Sequence, residues 1–291
     1  KLLKIPEEWK TYEAFGKDVI TAILDTGYDT NNTDISSNVL KAEKLIDYGS
    51  HEEDIFVHGT RCTALVCCTN AGQQLIGIAP HSKVIAAKIS NKGEIIDFDV
   101  IIRGIRWAID NGADIVSLSY GSDLNDEITI KHYYDEIDTL LRDQQVLVFA
   151  CCGNNYNANP STGVRYPAAF SGKNDQINKP PIEKIIAVGA TNNDNELDII
   201  TLLNDFTTLH APGRDIISYQ LNNVADAASG TSMSTPIVAG IAALAVSYLK
   251  KKNGAWGALA LKKMIYDTAD PIKDDPIRKI INPVNLLKML Q

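Results

Sequence analysis

The chain has 291 residues, of which 45% are hydrophobic and 22% are charged, a balance that is ordinary for a folded globular protein. Its formal net charge of −8 argues against nucleic acid as a partner, because phosphate backbones are bound by basic surfaces. No apolar run approaches the roughly 18 residues that a membrane-spanning helix requires, and the chain opens with no signal-peptide pattern. We therefore expect a globular protein that neither binds nucleic acid nor spans a membrane.

Short, β-branched and nearly continuous apolar runs recur along the chain, as they do in strands buried on both faces of a parallel sheet. These runs are residues 19–24, 84–87, 115–119, 146–150 and 185–188. Helix-length segments lie between and after them, at about 59–68, 97–111, 133–144 and 232–250. The alternation predicts a three-layer, doubly wound α/β fold, with a mostly parallel sheet and helices on both of its faces.

No internal repeat and no linker rich in Gly, Ser or Pro divides the chain, so we expect residues 1–291 to form a single domain. The most loop-like tract is 171–184, which we expect to be an exposed insertion. Residues 256–290 are expected to form one or two helices that pack on the outside.

The five cysteines are an odd number, and four of them form the adjacent pairs Cys67-Cys68 and Cys151-Cys152. Adjacent pairs suit neither a disulfide framework nor the ligand spacing of zinc sites. We therefore expect free thiols that pack as small apolar groups in the core. The location could be cytoplasmic or secreted, and reduced thiols slightly favour the cytoplasm.

Three motifs supply a carboxylate, an imidazole and a hydroxyl, in that order along the chain. Asp25 stands in Asp-Thr-Gly after an apolar run, His58 opens His-Gly-Thr, and Ser232 lies in Gly-Thr-Ser-Met-Ser-Thr-Pro. A serine hydroxyl becomes a nucleophile when a histidine removes its proton and a buried carboxylate holds that histidine in the required tautomer. We expect the three side chains to meet at the carboxyl edge of the sheet, where α/β proteins bind ligands.

Each motif alone also has a plainer interpretation. Asp-Thr-Gly is a common turn, a lone histidine is more often structural, and Thr-Ser before a proline is an ordinary helix start. Asp-Thr-Gly also opens the catalytic turn of aspartic proteases, which need two carboxylates that share a proton, but no second such motif occurs. Two alternatives therefore stay open: an aspartic protease built on Asp25, and a protein that binds peptides without cutting them.

Together the motifs resemble those of the subtilisin-like serine proteases (subtilases), whose triad runs in the order Asp, His, Ser. Further similar segments follow in the expected order, at 110–121, 146–154, 185–190 and 210–213. The resemblance implies a serine endopeptidase with an acyl-enzyme on Ser232, His58 as general base and acid, and Asp25 orienting His58. In its compact length and unpaired cysteines the chain is most similar to intracellular subtilisins and to the leader peptidases that mature lantibiotics.

The resemblance also implies residues that contact the substrate. The side-chain amide of Asn154 and the backbone N–H of Ser232 are expected to form the oxyanion hole. The segment with Ser119, Tyr120 and Gly121 is expected to form one wall of the pocket for the residue before the scissile bond. The segment with Glu94 and Ile96 is expected to be an edge that pairs with the substrate as an added strand.

Arg165 is the most informative departure from the family pattern, because subtilases usually carry glycine or another small residue at that place on the pocket floor. A guanidinium group there could form paired hydrogen bonds with a carboxylate. We therefore predict an acidic or polar residue before the cut, and a selective processing protease such as one that removes a leader peptide. The alternative is that Arg165 pairs with one of the 36 acidic residues of the chain itself.

The resemblance requires no cofactor but includes structural calcium in many members. Asp34 stands where the family has a carboxylate ligand, whereas Ala71 stands where a side-chain oxygen is usual. Because calcium takes six to eight oxygen ligands, we expect this site to be weakened or absent. The remaining expected partners are a peptide or protein substrate and a prodomain that is separate or has been removed.

Overall fold

The computed structural model describes residues 15–47, 54–70, 75–91, 96–155 and 165–291. Its strands are β1 (Ile20–Asp25), β2 (Val39–Lys44), β3 (Lys83–Lys88), β4 (Ile115–Leu118), β5 (Ser122–Asp123), β6 (Leu147–Cys151), β7 (Arg165–Tyr166), β8 (Ile185–Thr191), β9 (Leu209–Pro212), β10 (Ile216–Tyr219), β11 (Ala225–Ala228), β12 (Asp270–Ile272) and β13 (Asp275–Ile280). Its α-helices are α1 (Thr33–Ser36), α2 (His58–Cys67), α3 (Phe98–Asp110), α4 (Glu127–Leu141), α5 (Thr231–Asn253), α6 (Ala258–Thr268) and α7 (Pro283–Met289).

Nine strands form one sheet, in the order β12-β13-β9-β8-β6-β4-β1-β3-β2. Its neighbouring strands are parallel except for the antiparallel pair β12–β13. Because β1, β4 and β6 are adjacent and parallel, their carboxyl ends lie at one edge of the sheet. That edge carries Asp25, the last residue of β1, and the segments that follow β4 and β6.

The packing of β1 explains why the strands appear as unbroken apolar runs. Ala22 and Leu24 lie in the core cluster that includes α3, whereas Ile23 faces the other way, into the cluster that includes α2. Each leucine or isoleucine removed from water in this way contributes roughly 1.5–3 kcal/mol. The sheet is therefore covered by helices on both faces, and the predicted three-layer α/β fold is confirmed.

Helix α5 begins at the edge of the sheet where the carboxyl ends of β1, β4 and β6 lie, and it runs through the core on one face of the sheet. Its segment Thr231–Lys252 is long and apolar enough to cross a membrane, but 89% of its most apolar stretch is buried inside the protein. It packs against α2 and against β4, β6, β8 and β9. It is therefore the central core helix, and its first turn brings Ser232 to the edge of the sheet.

All five predicted strands and all four predicted helices are present, with small shifts at most of their ends. The largest shift is in α4, which begins at Glu127 because the side chain of Asp126 accepts the Thr129 N–H at 2.9 Å. The prediction missed this start because Ile128 in the first turn is exposed and blurs the apolar pattern. All five cysteines are free and buried, as predicted.

Two expectations about the later part of the chain were incomplete. The tract 171–184 is a loop, but Ile177 and Ile182 are buried in the core, so it is not simply an exposed insertion. Residues 256–290 hold the helices α6 and α7, but the hairpin β12–β13 lies between them and extends the sheet. The prolines at 271 and 276 obscured these strands, since proline is tolerated mainly in edge strands.

Candidate active site

Asp25 is almost completely buried at the carboxyl end of β1. Its Oδ1 accepts the N–H of Thr26 at 2.8 Å and lies 2.8 Å from Nδ1 of His58. Its Oδ2 is buried without a hydrogen-bond partner among the described residues. Asp25 therefore contacts the imidazole through one oxygen that the backbone holds in place.

His58 is the first residue of α2, and one-fifth of its side chain is exposed. Burial lowers the pKa of His58, but the charge and hydrogen bond of Asp25 and the charge of Asp54 raise it, and the net shift is upward. The ring of Tyr120 contacts the imidazole edge-on, with centroids 5.1 Å apart. Because Nδ1 donates to Asp25, the neutral ring carries its free lone pair on Nε2, which is the atom a general base needs.

Ser232 lies in the first turn of α5, beside the edge of the sheet that carries Asp25. Its hydroxyl donates to the carbonyl of Ser119 at 3.4 Å, and its own carbonyl accepts the Ser119 hydroxyl at 2.9 Å. Ser232 and His58 line the same open cavity of about 160 Å³, together with Asn154 and Met233. The residues of the three motifs therefore converge on one site, although the serine hydroxyl is bonded to Ser119 in this state. Catalytic hydrogen bonds are often long in unliganded enzymes and shorten when substrate binds.

Asn154 follows β6, and its side chain is oriented by Thr231. The Oδ1 atom of Asn154 accepts the backbone N–H of Thr231 at 2.9 Å and its hydroxyl at 3.0 Å. The Nδ2 atom is so close to Gly230 that a Cβ there would lie 3.1 Å from it. These contacts fix which end of the carboxamide is the donor, as an oxyanion hole requires.

Two polar residues that lie beside Asp25 and His58 were given no role by the sequence analysis. Asp54 is fully buried and accepts hydrogen bonds from the backbone N–H groups of Val57 and Thr60, at 2.8 and 2.7 Å. Thr26 donates its hydroxyl to Asp54 at 2.8 Å and accepts the N–H of Gly59 at 2.9 Å. Asp54 stands five residues before the predicted helix start at 59, too early for the usual capping signal, so no local pattern pointed to this role.

Val57, directly before His58, has a left-handed backbone with φ of 76°. A β-branched residue in that region costs on the order of 1–3 kcal/mol and persists when its surroundings hold it there. The hydrogen bond from its N–H to Asp54 is one such restraint. The chain therefore turns sharply into α2 at the residue before the imidazole.

Arg165 lies between two segments beside the site, those that hold Gly121 and Gly153. A Cβ at Gly121 would lie 3.2 Å from the Cβ of Arg165, and one at Gly153 would lie 2.6 Å from its Cγ. The guanidinium forms an ion pair with Asp123, whose backbone is paired with Arg165 in the β5–β7 ladder. Arg165 is thus paired with an acidic residue of the chain itself, the alternative named above. A preference for an acidic or polar substrate residue stays a prediction.

Of the segment expected to pair with the substrate, Glu94 lies outside the described residues. Ile96 is 6% exposed and packs in the core, and α3 begins two residues later at Phe98, capped by Asp97. The part played by Glu94 and Ile96 stays a prediction.

Asp34 is buried, and its Oδ2 accepts the hydroxyl of Tyr219 at 2.8 Å. A hydroxyl donor on this oxygen competes with a cation for the same lone pairs. Residues 71–74, which include Ala71, lie outside the described residues. Weak or absent calcium binding stays a prediction.

Within the described ranges, the carboxylate, imidazole and thiol of Asp25, His58 and Cys62 are the one group close enough together to suggest a metal ion, within 4.8 Å of one another. The first two are already hydrogen-bonded to each other. Burial and the charge of Asp25 raise the pKa of the Cys62 thiol, which opposes the thiolate that metals prefer. The cluster therefore fits a catalytic pair with a neutral thiol packed beside it.

Comparison with known proteins agrees with this geometry. The profile of the subtilase family, Peptidase_S8, matches residues 16–281. The chain belongs to the subtilase family. The prediction of a serine endopeptidase is thereby confirmed at the level of the family, and the aspartic protease alternative is set aside.

Individual relatives of this subtilase are distant. It is 30% identical over 253 residues to the minor extracellular protease Epr of Bacillus subtilis, covering 87% of this chain but 35% of Epr. It is 28% identical over 249 residues to the intracellular serine protease of Paenibacillus polymyxa, covering 84% and 71% of the two chains. Because these relatives lie on both sides of the membrane, the slight preference for the cytoplasm is not supported.

The fold is similar to that of the prenylagaramide maturation protease PagA, with a TM-score of 0.80. The match covers 99% of this chain and 98% of PagA, at 22% sequence identity. At that identity the likeness establishes the fold of the subtilase and leaves its substrate open.

Proposed function

We propose that this subtilase hydrolyses peptide bonds through an acyl-enzyme on Ser232. His58 Nε2 accepts the serine proton as Oγ attacks the scissile carbonyl carbon, and then donates it to the leaving amine. Asp25 keeps Nδ1 protonated and stabilises the imidazolium that forms. A water molecule, deprotonated in turn by His58, attacks the acyl carbon, and His58 returns that proton to Oγ of Ser232 as the acyl–oxygen bond breaks and the second product leaves.

The observation that carries this proposal is the contact of 2.8 Å between the buried carboxylate of Asp25 and Nδ1 of His58. It leaves Nε2 as the basic nitrogen of a ring that lines the same cavity as Ser232. The donors proposed for the developing oxyanion are Nδ2 of Asn154 and the N–H of Ser232, and removing one such donor costs about 10²–10³ in kcat in a serine protease.

Labelling with a fluorophosphonate probe tests the nucleophile without knowledge of the substrate. Wild-type protein and Ser234→Ala are expected to gain one phosphonyl group on Ser232, and Ser232→Ala none, as read by peptide mass mapping. Ser234 is a matched control because it is buried two residues further along α5, where its hydroxyl donates to the carbonyl of Ala211 at 3.0 Å. If wild-type protein is not labelled at Ser232, the alternative of an inactive peptide-binding homologue takes the place of this proposal.

We further propose that the enzyme is a selective processing protease, for example one that removes a leader peptide, with an acidic or polar residue before the cut. The likeness in fold to a maturation protease supports the first part. The position of Arg165 supports the second, because its aliphatic stem takes space between Gly121 and Gly153 that a large apolar side chain would need.

The charge of Arg165 is shared with Asp123, and about a third of each side chain is exposed. Ion pairs this exposed are worth only about 0–1 kcal/mol, so a polar substrate group can replace or join Asp123 at little cost. Asp123 should therefore weaken, without abolishing, the attraction of Arg165 for a carboxylate. This subsite would accept Gln and Glu, and the removal of Asp123 would sharpen its preference for Glu.

A set of fluorogenic peptides that differ in the residue before the cut tests this subsite. The wild-type enzyme is expected to cleave after Glu or Gln faster than after Leu or Phe. Asp123→Asn should raise the ratio of kcat/KM for Glu over Gln by about tenfold, and Arg165→Gly should reverse the preference towards Leu and Phe. Asp138→Asn, which breaks an ion pair on α4, is the matched control and should change neither ratio. Faster wild-type cleavage after Leu or Phe than after Glu would refute the subsite.

A further inference from the structure

Asp54 is a second buried carboxylate of the site, with no exposed surface. It accepts five hydrogen bonds from described residues. Oδ1 accepts the N–H groups of Phe56 and Val57, at 3.0 and 2.8 Å, and the hydroxyl of Thr26 at 2.8 Å. Oδ2 accepts both the N–H and the hydroxyl of Thr60, each at 2.7 Å. Five donors on one carboxylate are enough to hold its negative charge away from water.

These bonds fix the start of the helix that presents His58. The residue before the helix, Val57, makes no side-chain cap, so the capping group comes from Asp54, three residues earlier. Its charge lies at the amino end of α2, where the helix dipole favours an anion. Two of its bonds, to the N–H groups of Val57 and Thr60, bracket the imidazole-bearing residue along the chain.

Thr26 links this carboxylate to the catalytic one. Its N–H donates to Oδ1 of Asp25 at 2.8 Å, while its hydroxyl donates to Oδ1 of Asp54 at 2.8 Å. The same hydroxyl accepts the N–H of Gly59 at 2.9 Å. One side chain therefore ties together the end of β1, the capping carboxylate and the residue that follows His58.

The charged and titratable groups that face His58 come from several elements. They are Asp25 at the end of β1, Asp54 before α2, Arg61 and Cys62 on α2 itself, and Tyr120 after β4. Burial lowers the pKa of His58, Asp25 and Asp54 raise it, and Arg61 lowers it. Arg61 is in turn paired with Asp226 at 2.9 Å, which reduces its effect. Loss of the charge at Asp54 should therefore lower this pKa.

We propose that Asp54 is a positioning residue of the reaction, which holds His58 and Asp25 in register and stabilises the imidazolium by its charge. This inference rests on the proposed function, since it assigns Asp54 a part in the same proton transfer. A purely structural cap would stabilise the fold but would leave the protonation of His58 unchanged. The two roles therefore differ in their effect on the pH dependence of the reaction.

The test is the rate at which a fluorophosphonate labels Ser232, measured from pH 5 to pH 9, which needs no peptide substrate. Asp54→Asn keeps the size of the side chain but removes its charge. We expect about a tenfold slower labelling at the plateau, and an acidic limb displaced to lower pH by about half a unit or more. The direction follows because His58 must be neutral to act as a base, and a lower pKa keeps it neutral at lower pH.

Asp114→Asn is the matched control, because Asp114 is also a buried carboxylate but lies before β4, at the opposite edge of the sheet, where it binds Lys250 and Trp256. It should lower the melting temperature and leave the acidic limb in place. If Asp54→Asn does not fold, Thr26→Val removes the link between the two carboxylates at nearly constant volume. We expect Thr26→Val to slow labelling by about tenfold and Thr26→Ser to restore it.

An acidic limb that stays where it is in folded Asp54→Asn would overturn the proposal, as would labelling within twofold of wild type in both Asp54→Asn and Thr26→Val. Absence of labelling in the wild-type protein is a different result, because it would overturn the proposed function itself.

Discussion

The two oxygens of the Asp25 carboxylate have different surroundings. Oδ1 is held between the N–H of Thr26 and Nδ1 of His58, both at 2.8 Å, whereas Oδ2 is buried without a partner in the described part of the chain. A buried, incompletely solvated carboxylate interacts strongly with a nearby positive charge because the local dielectric is low. This arrangement favours the imidazolium state of His58, which is the state formed as Ser232 attacks.

The substitution Asp25→Asn tests whether the charge of Asp25 stabilises the imidazolium state of His58. It keeps the shape of the side chain but removes the charge and favours the wrong tautomer of His58, so kcat/KM should fall by about 10⁴-fold. The pKa of His58 is raised above its usual value near 6.5, so wild-type activity should fall as the pH drops through a point above that value. In Asp25→Asn the residual activity should extend to lower pH. A variant that keeps its activity, or an acidic limb that does not move, would contradict the assigned role of Asp25.

At the scale of the elements, the site depends on how closely α2 approaches the turn after β1. Gly59 lies against Gly27, and a methyl group on it would overlap the Gly27 carbonyl oxygen and come within 3.0 Å of its nitrogen. Both partners are backbone atoms, so neither can move without shifting β1 or α2. The glycine that follows His58 therefore sets the distance between the helix and Asp25.

Gly59→Ala should push α2 away from β1, lower the free energy of unfolding by about 3 kcal/mol and lower the melting temperature by about 5–10 °C. Activity should fall further than stability, because the contact between Asp25 and His58 spans the same gap. Gly257→Ala is the matched control, since its Cβ would meet nothing closer than 3.5 Å. Thermal unfolding and fluorophosphonate labelling of both variants check this, and normal labelling of Gly59→Ala would contradict it.

The sequence predicted the parts of the fold that depend on local pattern. Buried parallel strands and their alternating helices have clear periodicities, and the motifs at Asp25, His58 and Ser232 lie at their ends, so the edge where they meet followed from the topology. Features that depend on tertiary contacts did not follow. Asp54 caps the start of α2, and Arg165 pairs with Asp123. No local pattern in the sequence indicates either contact.

At the scale of the whole molecule, the core contains an ionisable residue that the reaction does not use. His210 in β9 is fully buried, and burial, followed by the nearby charge of Arg278, lowers its pKa to about 4. The unfolded chain binds a proton on this histidine near pH 6.5, whereas the folded protein resists it down to about pH 4. The contribution of neutral His210 to the free energy of unfolding should therefore be fully present above pH 6.5 and be lost as the pH decreases from 6.5 to about 4.

His210→Leu should remove this acid sensitivity. The difference in pKa corresponds to about 3 kcal/mol of stability lost by wild-type protein between pH 6.5 and pH 4. Urea unfolding at several pH values measures it, with the variant expected to give a flatter profile. Equal pH profiles for the two proteins would show that His210 is not the group responsible.

Calcium binding would also change the stability of the whole molecule. At the position of the expected ligand Asp34, however, the hydroxyl of Tyr219 already donates to the carboxylate. We expect the melting temperature to differ by less than about 2 °C between excess calcium and a chelator, whereas Tyr219→Phe should cost about 2 kcal/mol by removing a hydrogen bond to a buried carboxylate. A large rise in melting temperature with calcium would contradict this.

In the proposed reaction, the imidazole at 58 and the hydroxyl at 232 act on the same carbonyl group. A peptidyl chloromethyl ketone with alanine next to the reactive group measures this directly, because its ketone is attacked by the serine while its methylene alkylates the histidine beside it. We predict one inhibitor per chain, attached to His58 in the peptide map, and loss of this alkylation in Ser232→Ala. Alkylation at another histidine or at a cysteine, or undiminished alkylation of His58 in Ser232→Ala, would contradict the account.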